Sequence, residues 1–198
     1  MDPQTVMRMV FEGGIRKPIG TDLLSSLQPH EVNAAEEYYR KMLWADKELI
    51  ARGINDFYAL NEYVKECARK GTPTTLSDET RKALVVLANI FMYMHEQKEW
   101  SITSLRGHPL AEDCILNAAY SCQNPDVLIA AGRFYLSLWD ADVETAIAYF
   151  IKATEIDPKR VNDCDRLIND FVRQRGVMYL RGSLEPYLDA WRQHKRRL

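Results

Sequence analysis

Apolar residues recur along most of the chain at three- and four-residue spacing, which is the period of an amphipathic helix. One helical segment is capped by Asn55 and closed by Gly71. The apolar residues that share a face of this segment are Phe57, Leu60, Val64 and Cys67. No long run alternates apolar with polar residues as a half-buried strand does. The pattern therefore predicts an all-helical fold.

Caps and stop signals divide the chain into further helical segments. Pro29 opens an amphipathic stretch that runs to Gly53, because proline suits a first helical position and glycine the position after the last. A later helix has Asn124 as its cap and Pro at its first position, and Asp140 or Asp142 caps the helix after it. The one alternative to helix is a short strand at residues 176–180.

Short connections between consecutive helices favour antiparallel neighbours. The chain is therefore predicted to be a single helical domain, residues 1–198, of stacked antiparallel helical hairpins. The expected parts are an N-terminal segment (1–28), a first helical hairpin (29–71), a second hairpin (78–122), a third hairpin (125–158) and C-terminal capping helices (160–198).

The third hairpin resembles a tetratricopeptide repeat. The residues that carry the resemblance are Gly132, Tyr135, Ala146, Phe150, Ala153 and Pro158, the last of which ends the sequence Glu-Ile-Asp-Pro. Small residues let the two helices approach closely, aromatic rings fill the space between them, and proline stops the second helix. The resemblance implies a tetratricopeptide-like α-solenoid, and it predicts that Gly132 and Ala146 pack face to face.

The layout as a whole resembles the translocator chaperones of bacterial type III secretion. Phe11, Gly13 and Gly14 are similar to the short N-terminal helix of that family, which ends in glycines. Residues 97–100 (Gln-Lys-Glu-Trp) and 125–156 stand where those chaperones carry their second and third repeats. The resemblance implies a small cytoplasmic protein that holds another protein.

Charge is nearly balanced, with 26 Lys plus Arg against 28 Asp plus Glu, so no global field draws the chain onto nucleic acid or an anionic membrane. The exception is a basic C-terminus. Its members are Arg192, His194, Lys195, Arg196 and Arg197. Basic helix ends are mostly solvated and complement the helix dipole, so nucleic-acid binding is an alternative and not the main expectation.

The first residues show no signal peptide, and no apolar run is long enough to span a bilayer, so we expect a cytoplasmic protein. The four cysteines are widely spaced and lack the close pairs of a zinc site. They are Cys67, Cys114, Cys122 and Cys164. We expect reduced, mostly buried thiols, with no metal and no cofactor.

Three groups of residues are considered for catalysis, and none has the local pattern of a known active site. The groups are His95 with Glu96 and Glu99, His108 with Asp113 and Cys114, and Cys164 with Asp163 and Asp165. We therefore predict that the chain is not an enzyme. A catalytic site assembled from distant residues stays an alternative.

Stacked hairpins leave a concave surface lined by their first helices, and such a surface suits an extended or helical peptide. The residues predicted to face this groove are Tyr39, Val85, Asn89, Met92, Tyr93, Ile129, Arg133 and Leu136. Simple core packing is the alternative for these side chains. The predicted function is an adaptor or chaperone that holds an amphipathic or unfolded segment of another protein, and a homodimer is left open.

Overall fold

The computed structural model describes residues 2–19, 22–98, 109–138, 140–175 and 181–198. Within these ranges it contains ten α-helices, one short 3-10 helix and no strand, so the all-helical prediction is confirmed there. The helices are α1 (Pro3–Arg16), α2 (Pro29–Trp44), α3 (Lys47–Ala51), α4 (Phe57–Lys70), α5 (Asp78–Lys98), α6 (Pro109–Ala119), α7 (Pro125–Ser137), α8 (Val143–Ile156), the 3-10 helix (Pro158–Arg160), α9 (Val161–Arg175) and α10 (Arg181–Lys195). The strand considered at residues 176–180 lies outside the described ranges.

Side-chain caps set the start of α7 and of α8. The Asn124 side chain accepts hydrogen bonds from the backbone N–H groups of Asp126 and Val127, and Pro125 is the first residue of α7. The Asp142 carboxylate accepts from the backbone N–H of Thr145, so Asp142 and not Asp140 caps α8. Both helices begin where their cap signals predict.

Two boundaries differ from the prediction, and at each of them an aspartate caps the helix that follows. The stretch from Pro29 to Gly53 is not one helix: α2 ends at Trp44, and the Asp46 carboxylate starts α3 by accepting from the backbone of Glu48 and Leu49. At α4 the cap is Asp56, not Asn55. Gly71 closes α4 with a φ of 66°, as expected of a glycine that ends a helix.

The chain divides into two compact units. Unit 1 comprises Met1–Val10 and Asp22–Cys122, and unit 2 comprises Phe11–Thr21 and Gln123–Leu198. The main division falls at Cys122, between the expected second and third hairpins. Unit 2 therefore contains a short segment from near the start of the sequence together with the last third of the chain.

In unit 1, α5 packs against α2 and α6, and α4 packs against α6. The two helices of the expected first hairpin, α2 and α4, thus have their main contacts with other helices. Residues 83–88 of α5 are fully buried. Such a helix is apolar on most of its circumference, and it forms the centre of the unit 1 core.

A buried arginine fixes the loop before α5 to the end of α6. The Arg81 guanidinium donates to the carbonyl oxygens of Ala118 (2.8 Å), Tyr120 (2.7 Å) and Leu76 (3.2 Å). It also donates to the hydroxyl (2.9 Å) and the carbonyl (3.4 Å) of Thr74. All five N–H donors of the side chain are therefore used.

In unit 2, α7 packs along α8, and α10 also packs on α8. The close approach of α7 to α8 occurs at Gly132, where a Cβ would lie 2.8 Å from Cδ1 and 2.9 Å from Cζ of the Phe150 ring. The atoms nearest to this missing Cβ all belong to Phe150 and not to Ala146, which was expected there. Ala146 is fully buried one helical turn before Phe150.

Polar contacts hold the last helix in place. The Asp165 carboxylate accepts from the Trp191 indole N–H (2.7 Å) and from the Lys195 ammonium (2.7 Å). The Thr154 hydroxyl and the His194 ring lie 2.8 Å apart in hydrogen-bond contact. These contacts tie α10 to α9 and to α8.

None of the helices in the described ranges is both long enough and apolar enough to cross a membrane. All four cysteines are buried thiols, as expected, and none is in a disulfide.

Candidate functional site

Five of the eight residues predicted to line the groove lie in unit 1. Tyr39 on α2 and Val85 on α5 are fully buried, whereas Asn89, Met92 and Tyr93 on α5 are half-buried. The Tyr39 hydroxyl donates to a backbone carbonyl of the first helix, at 2.7 Å, and Asn89 donates to the Val85 carbonyl. The packing of α2 on α5 brings these residues to one helix pair.

The other three residues lie on α7 in unit 2, and all three are buried. Ile129 and Leu136 are each 1% exposed, and Arg133 is 4% exposed. Arg133 is therefore not the surface cation that the groove prediction assumed. A role of the eight residues in partner binding stays a prediction, and those that are buried cannot meet a partner without a local opening.

The buried Arg133 contacts the segment 17–19. Arg133 Nη2 donates to the Pro18 carbonyl at 3.1 Å. On the next residue, the Ile19 N–H donates to Asp170 Oδ2 on α9 at 2.6 Å, and the Ile19 side chain is 2% exposed. Two side chains of unit 2 thus hold the backbone of a segment that lies more than a hundred positions away in sequence.

Asp170 is the ionised anchor of this segment. Burial by itself raises the pKa of its carboxyl, but hydrogen bonds from the Ile19 N–H and from the Arg173 and Gln174 side chains outweigh burial and place the pKa below its ordinary value of 3.8. Arg173 lies 2.6 Å from Asp170 Oδ1, and the Gln174 amide donates to both carboxylate oxygens. The carboxylate is charged at neutral pH and accepts four hydrogen bonds from three residues.

Arg133 is held far less completely. Its Nη1 is buried and has no hydrogen-bond partner. Burial lowers the pKa of this guanidinium to about 10, and the negative charge of Asp170 offsets only part of that effect. A buried cation with an unused donor is unfavourable, so the burial of Arg133 has a cost in stability.

A cleft of about 400 Å³ lies beside the segment 17–19 in unit 2. Two stretches of chain line it, one from the end of α1 and the other from α9. The lining residues are Ile15, Arg16, Lys17, Pro18, Arg166, Leu167, Asn169, Asp170 and Arg173. We refer to this set as the basic cleft, since it holds four cations and one carboxylate.

The cations of the basic cleft differ in their partners. Arg173 forms an ion pair with Asp170, although its side chain is still 76% exposed. In the part of the chain that the structure describes, no carboxylate lies within ion-pair distance of Arg16, Lys17 or Arg166. Like charges that converge without counter-charges attract an anionic group. The volume is within the range of sites that enclose a ligand.

None of the residues that line the basic cleft is among the predicted site residues. Arg16 and Lys17 are separated from Arg166 by about a hundred and fifty residues, and only the fold brings them together. A partial signal is present on α9, where Arg166, Asp170 and Arg173 recur at helical spacing on one face. The sequence does not show what that face meets.

Two of the residues considered for catalysis, Cys114 and Cys164, are buried thiols. Burial raises the pKa of the Cys164 thiol to about 12 and also raises the pKa of the Cys114 thiol. A thiol is a nucleophile only as the thiolate, so neither is activated. Glu99 and His108 lie outside the described residues. No cluster of three or more potential metal ligands occurs within the described ranges.

The chain matches no protein-family model, no curated protein and no solved structure. The structure therefore establishes an all-helical architecture of packed helices, without a family. What the chain does has to be inferred from its own contacts.

Proposed function

We propose that this chain is a protein-binding module that holds a short segment of another protein in unit 2. The observation that supports the proposal is the way unit 2 holds residues 17–19 of its own chain. Arg133 binds a backbone carbonyl of that segment, and Asp170 binds a backbone N–H. These two groups occur in every peptide, so the same kind of surface can hold a segment of a partner.

The basic cleft supplies the space for such a segment. It adjoins Pro18, so a partner segment there would lie against the chain's own residues 15–18 and against α9. Its walls combine the apolar side chains of Ile15 and Pro18 with charged ones. Binding sites commonly pair an apolar surface with a few polar groups that fix orientation.

We further propose that α7 and α8 form a single tetratricopeptide-like hairpin that serves as the frame of this site. The contact of Gly132 with the Phe150 ring supports this, as do the full burial of Ala146 and Ala153 and the position of Pro158 just after α8. The narrower proposal, a chaperone of bacterial secretion, rests on the sequence resemblance alone. Identification of a natural partner would test this narrower proposal.

The alternative of a nucleic-acid-binding C-terminus receives little support from the contacts of α10. Arg192 forms ion pairs with Glu185 and Asp189, and Lys195 forms one with Asp165. Positive charges that are neutralised within the chain contribute little to phosphate binding. The buried thiols give an enzymatic alternative no reactive group.

Selection of peptides from a random library displayed on phage, with the full chain as target, tests the proposal. Binders are then synthesised, and amide hydrogen exchange of the full chain is measured with and without each peptide. We expect bound peptides to slow exchange at residues 15–18 and along α9 from 166 to 173. Helix α4, which lies in unit 1, serves as the internal reference and should not change.

The proposal is wrong if no peptide is enriched over an unrelated target. It is also wrong if enriched peptides protect only amides in unit 1. A substitution in the basic cleft provides the matching control, because it should abolish the protection while the melting temperature stays unchanged.

A further inference from the structure

We propose that the basic cleft selects an acidic segment of a partner protein, in which carboxylate side chains pair with Arg16, Lys17 and Arg166. This inference rests on the proposed function, since it assigns the chemistry of the segment that unit 2 holds. The charge of the lining carries it: the cleft has four cations against one carboxylate, while the chain as a whole has a net charge of −2.

The single carboxylate of the cleft does not neutralise the remaining cations. Asp170 is occupied by the Ile19 N–H, by Arg173 and by Gln174. Its side chain is only 11% exposed. A ligand therefore meets the cations of Arg16, Lys17 and Arg166, and it meets little of the negative charge.

Asp170 also positions one of the four cations, Arg173. The ion pair with Asp170 limits the conformations of Arg173 at the edge of the cleft. Arginine can bind a carboxylate through two parallel hydrogen bonds, and an arginine that is already ordered loses less entropy when it does so. Arg166, two helical turns before Arg173 on α9, presents a second guanidinium to the same cleft.

The apolar part of the lining favours a peptide over a nucleic acid. Ile15 and Pro18 offer a surface for apolar side chains of the segment. None of the described residues that line the cleft is aromatic, so this lining offers no stacking platform of the kind that holds single-stranded nucleic acid. The expected ligand is a short segment that mixes glutamate or aspartate with aliphatic residues.

Two display libraries that differ only in charge test the inference with the full chain. One library mixes acidic residues with leucine, alanine and serine, and the other contains lysine and arginine in place of the acidic residues. We expect enrichment from the acidic library alone. The most enriched peptide is synthesised with a fluorescent label, and its binding is measured by anisotropy at increasing salt. Salt should weaken binding, because exposed charge pairs are screened.

Charge reversal in the cleft is compared with the same reversal elsewhere. Arg16→Glu and Arg166→Glu change exposed side chains of the cleft, and Arg69→Glu changes an exposed arginine on α4 of unit 1. All three variants alter the net charge equally. We expect each cleft variant to weaken the peptide by about tenfold or more and Arg69→Glu to leave it within about twofold. Melting curves confirm that each variant folds.

The outcomes separate this inference from the proposed function. Peptides that protect the cleft in hydrogen exchange but come equally from both libraries leave the proposed function standing and overturn the acidic ligand. An equal loss in Arg69→Glu and in the cleft variants does the same. Complete displacement of the peptide by inorganic phosphate or by single-stranded DNA, at a concentration equal to that of the peptide, would show a general anion or nucleic-acid site and would also overturn it.

Discussion

Among the residues that the structure describes, each unit contains one buried arginine, and the two differ in their hydrogen bonding. Arg81 in unit 1 is 4% exposed and uses all five of its N–H donors on backbone and hydroxyl oxygens. Arg133 in unit 2 is equally buried, but it makes one hydrogen bond within the described residues and leaves Nη1 without a partner. Buried arginine is thus fully hydrogen-bonded in unit 1 and only partly hydrogen-bonded in unit 2.

The difference lies in how far hydrogen bonds compensate each arginine for its lost hydration. A fully bonded buried cation compensates for its lost hydration, whereas a partly bonded one does not. The carbonyls that Arg81 holds belong to a loop and a helix end that would otherwise be unsatisfied. The segment over Arg133 has fewer such bonds, and it forms one side of the basic cleft. This contrast supports the proposed binding site beside Arg133 and indicates a structural role for Arg81.

The largest expected effect is that of Arg81→Met. The substitution removes five hydrogen bonds and leaves the carbonyls of Leu76, Ala118 and Tyr120 without this donor. We expect the free energy of unfolding to fall by about 3–5 kcal/mol. Chemical denaturation of the full chain measures it. Arg69→Met, at an exposed position, should change stability by less than about 0.5 kcal/mol. Equal effects of the two would contradict the role of Arg81.

The next effect concerns the close contact that frames unit 2. In Gly132→Ala the new Cβ would meet the buried Phe150 ring at under 3 Å. We expect a loss of about 1–3 kcal/mol from overpacking, even though alanine is the better helix former. The double variant Gly132→Ala with Phe150→Leu should show a favourable coupling energy, because the smaller side chain vacates that space. Additive effects in this cycle would mean that the two residues do not share a tight contact.

Much of the fold could be predicted from local signals alone. Asn124, Pro125, Asp142 and Gly71 act within a few residues of their positions, so their effect on helix ends can be read from the sequence. The misplaced boundaries have a local cause as well. Asp56 caps α4 in place of the adjacent Asn55, and the cap at Asp46 is missing from the predicted stretch that runs from Pro29 to Gly53. Local reasoning fails by a residue or two, or by missing a cap.

The candidate site could not be predicted in this way. The helical position of Arg133 predicts a groove residue, but the side chain is buried and donates to the carbonyl of Pro18, which is far away in sequence. The basic cleft depends on the same long-range contact. No periodicity in the sequence records that residues 11–21 belong with the last third of the chain. The pairing of α2 with α5 is another long-range choice of this kind.

An intermediate effect is expected at Asp46, the carboxylate that supports the junction next to Arg81. Asp46 accepts from the backbone of Glu48 and Leu49 and, through Oδ2, from the Thr80 hydroxyl and the backbone N–H of Ser77. Asp46→Asn replaces one accepting oxygen with a donor. We expect a loss of about 1–2 kcal/mol at neutral pH, measured by chemical denaturation.

The pH dependence of this loss distinguishes the charge from the shape of the side chain. Burial raises the pKa of Asp46, but hydrogen bonds from Thr80, Leu49 and Ser77 outweigh it and place the pKa below 3.8. A lowered carboxyl pKa means that its stabilising contribution is present above the ordinary pKa and is lost as pH falls through the folded value. The difference between wild type and Asp46→Asn should therefore shrink below pH 3.8. A difference that stays constant down to pH 2 would show that ionisation of Asp46 contributes nothing.

The smallest effect, and the one that tests the comparison most directly, is that of Arg133→Met. Methionine removes the hydrogen bond to Pro18, but it also removes a buried charge and an unpaired donor. Because burial lowers the pKa of Arg133 only to about 10, the side chain is charged at neutral pH and its desolvation cost is fully present there. These opposing terms nearly cancel, so we expect stability to be unchanged or to rise by up to about 1 kcal/mol. A flexible apolar side chain of similar length can fill the site that the arginine leaves.

Denaturation of Arg133→Met and Arg81→Met side by side measures the contrast, and hydrogen exchange at residues 17–19 reports whether the segment stays docked. A loss for Arg133→Met as large as that for Arg81→Met would mean that both arginines are structural. The contrast between a fully bonded and a partly bonded buried arginine would then have no consequence for stability.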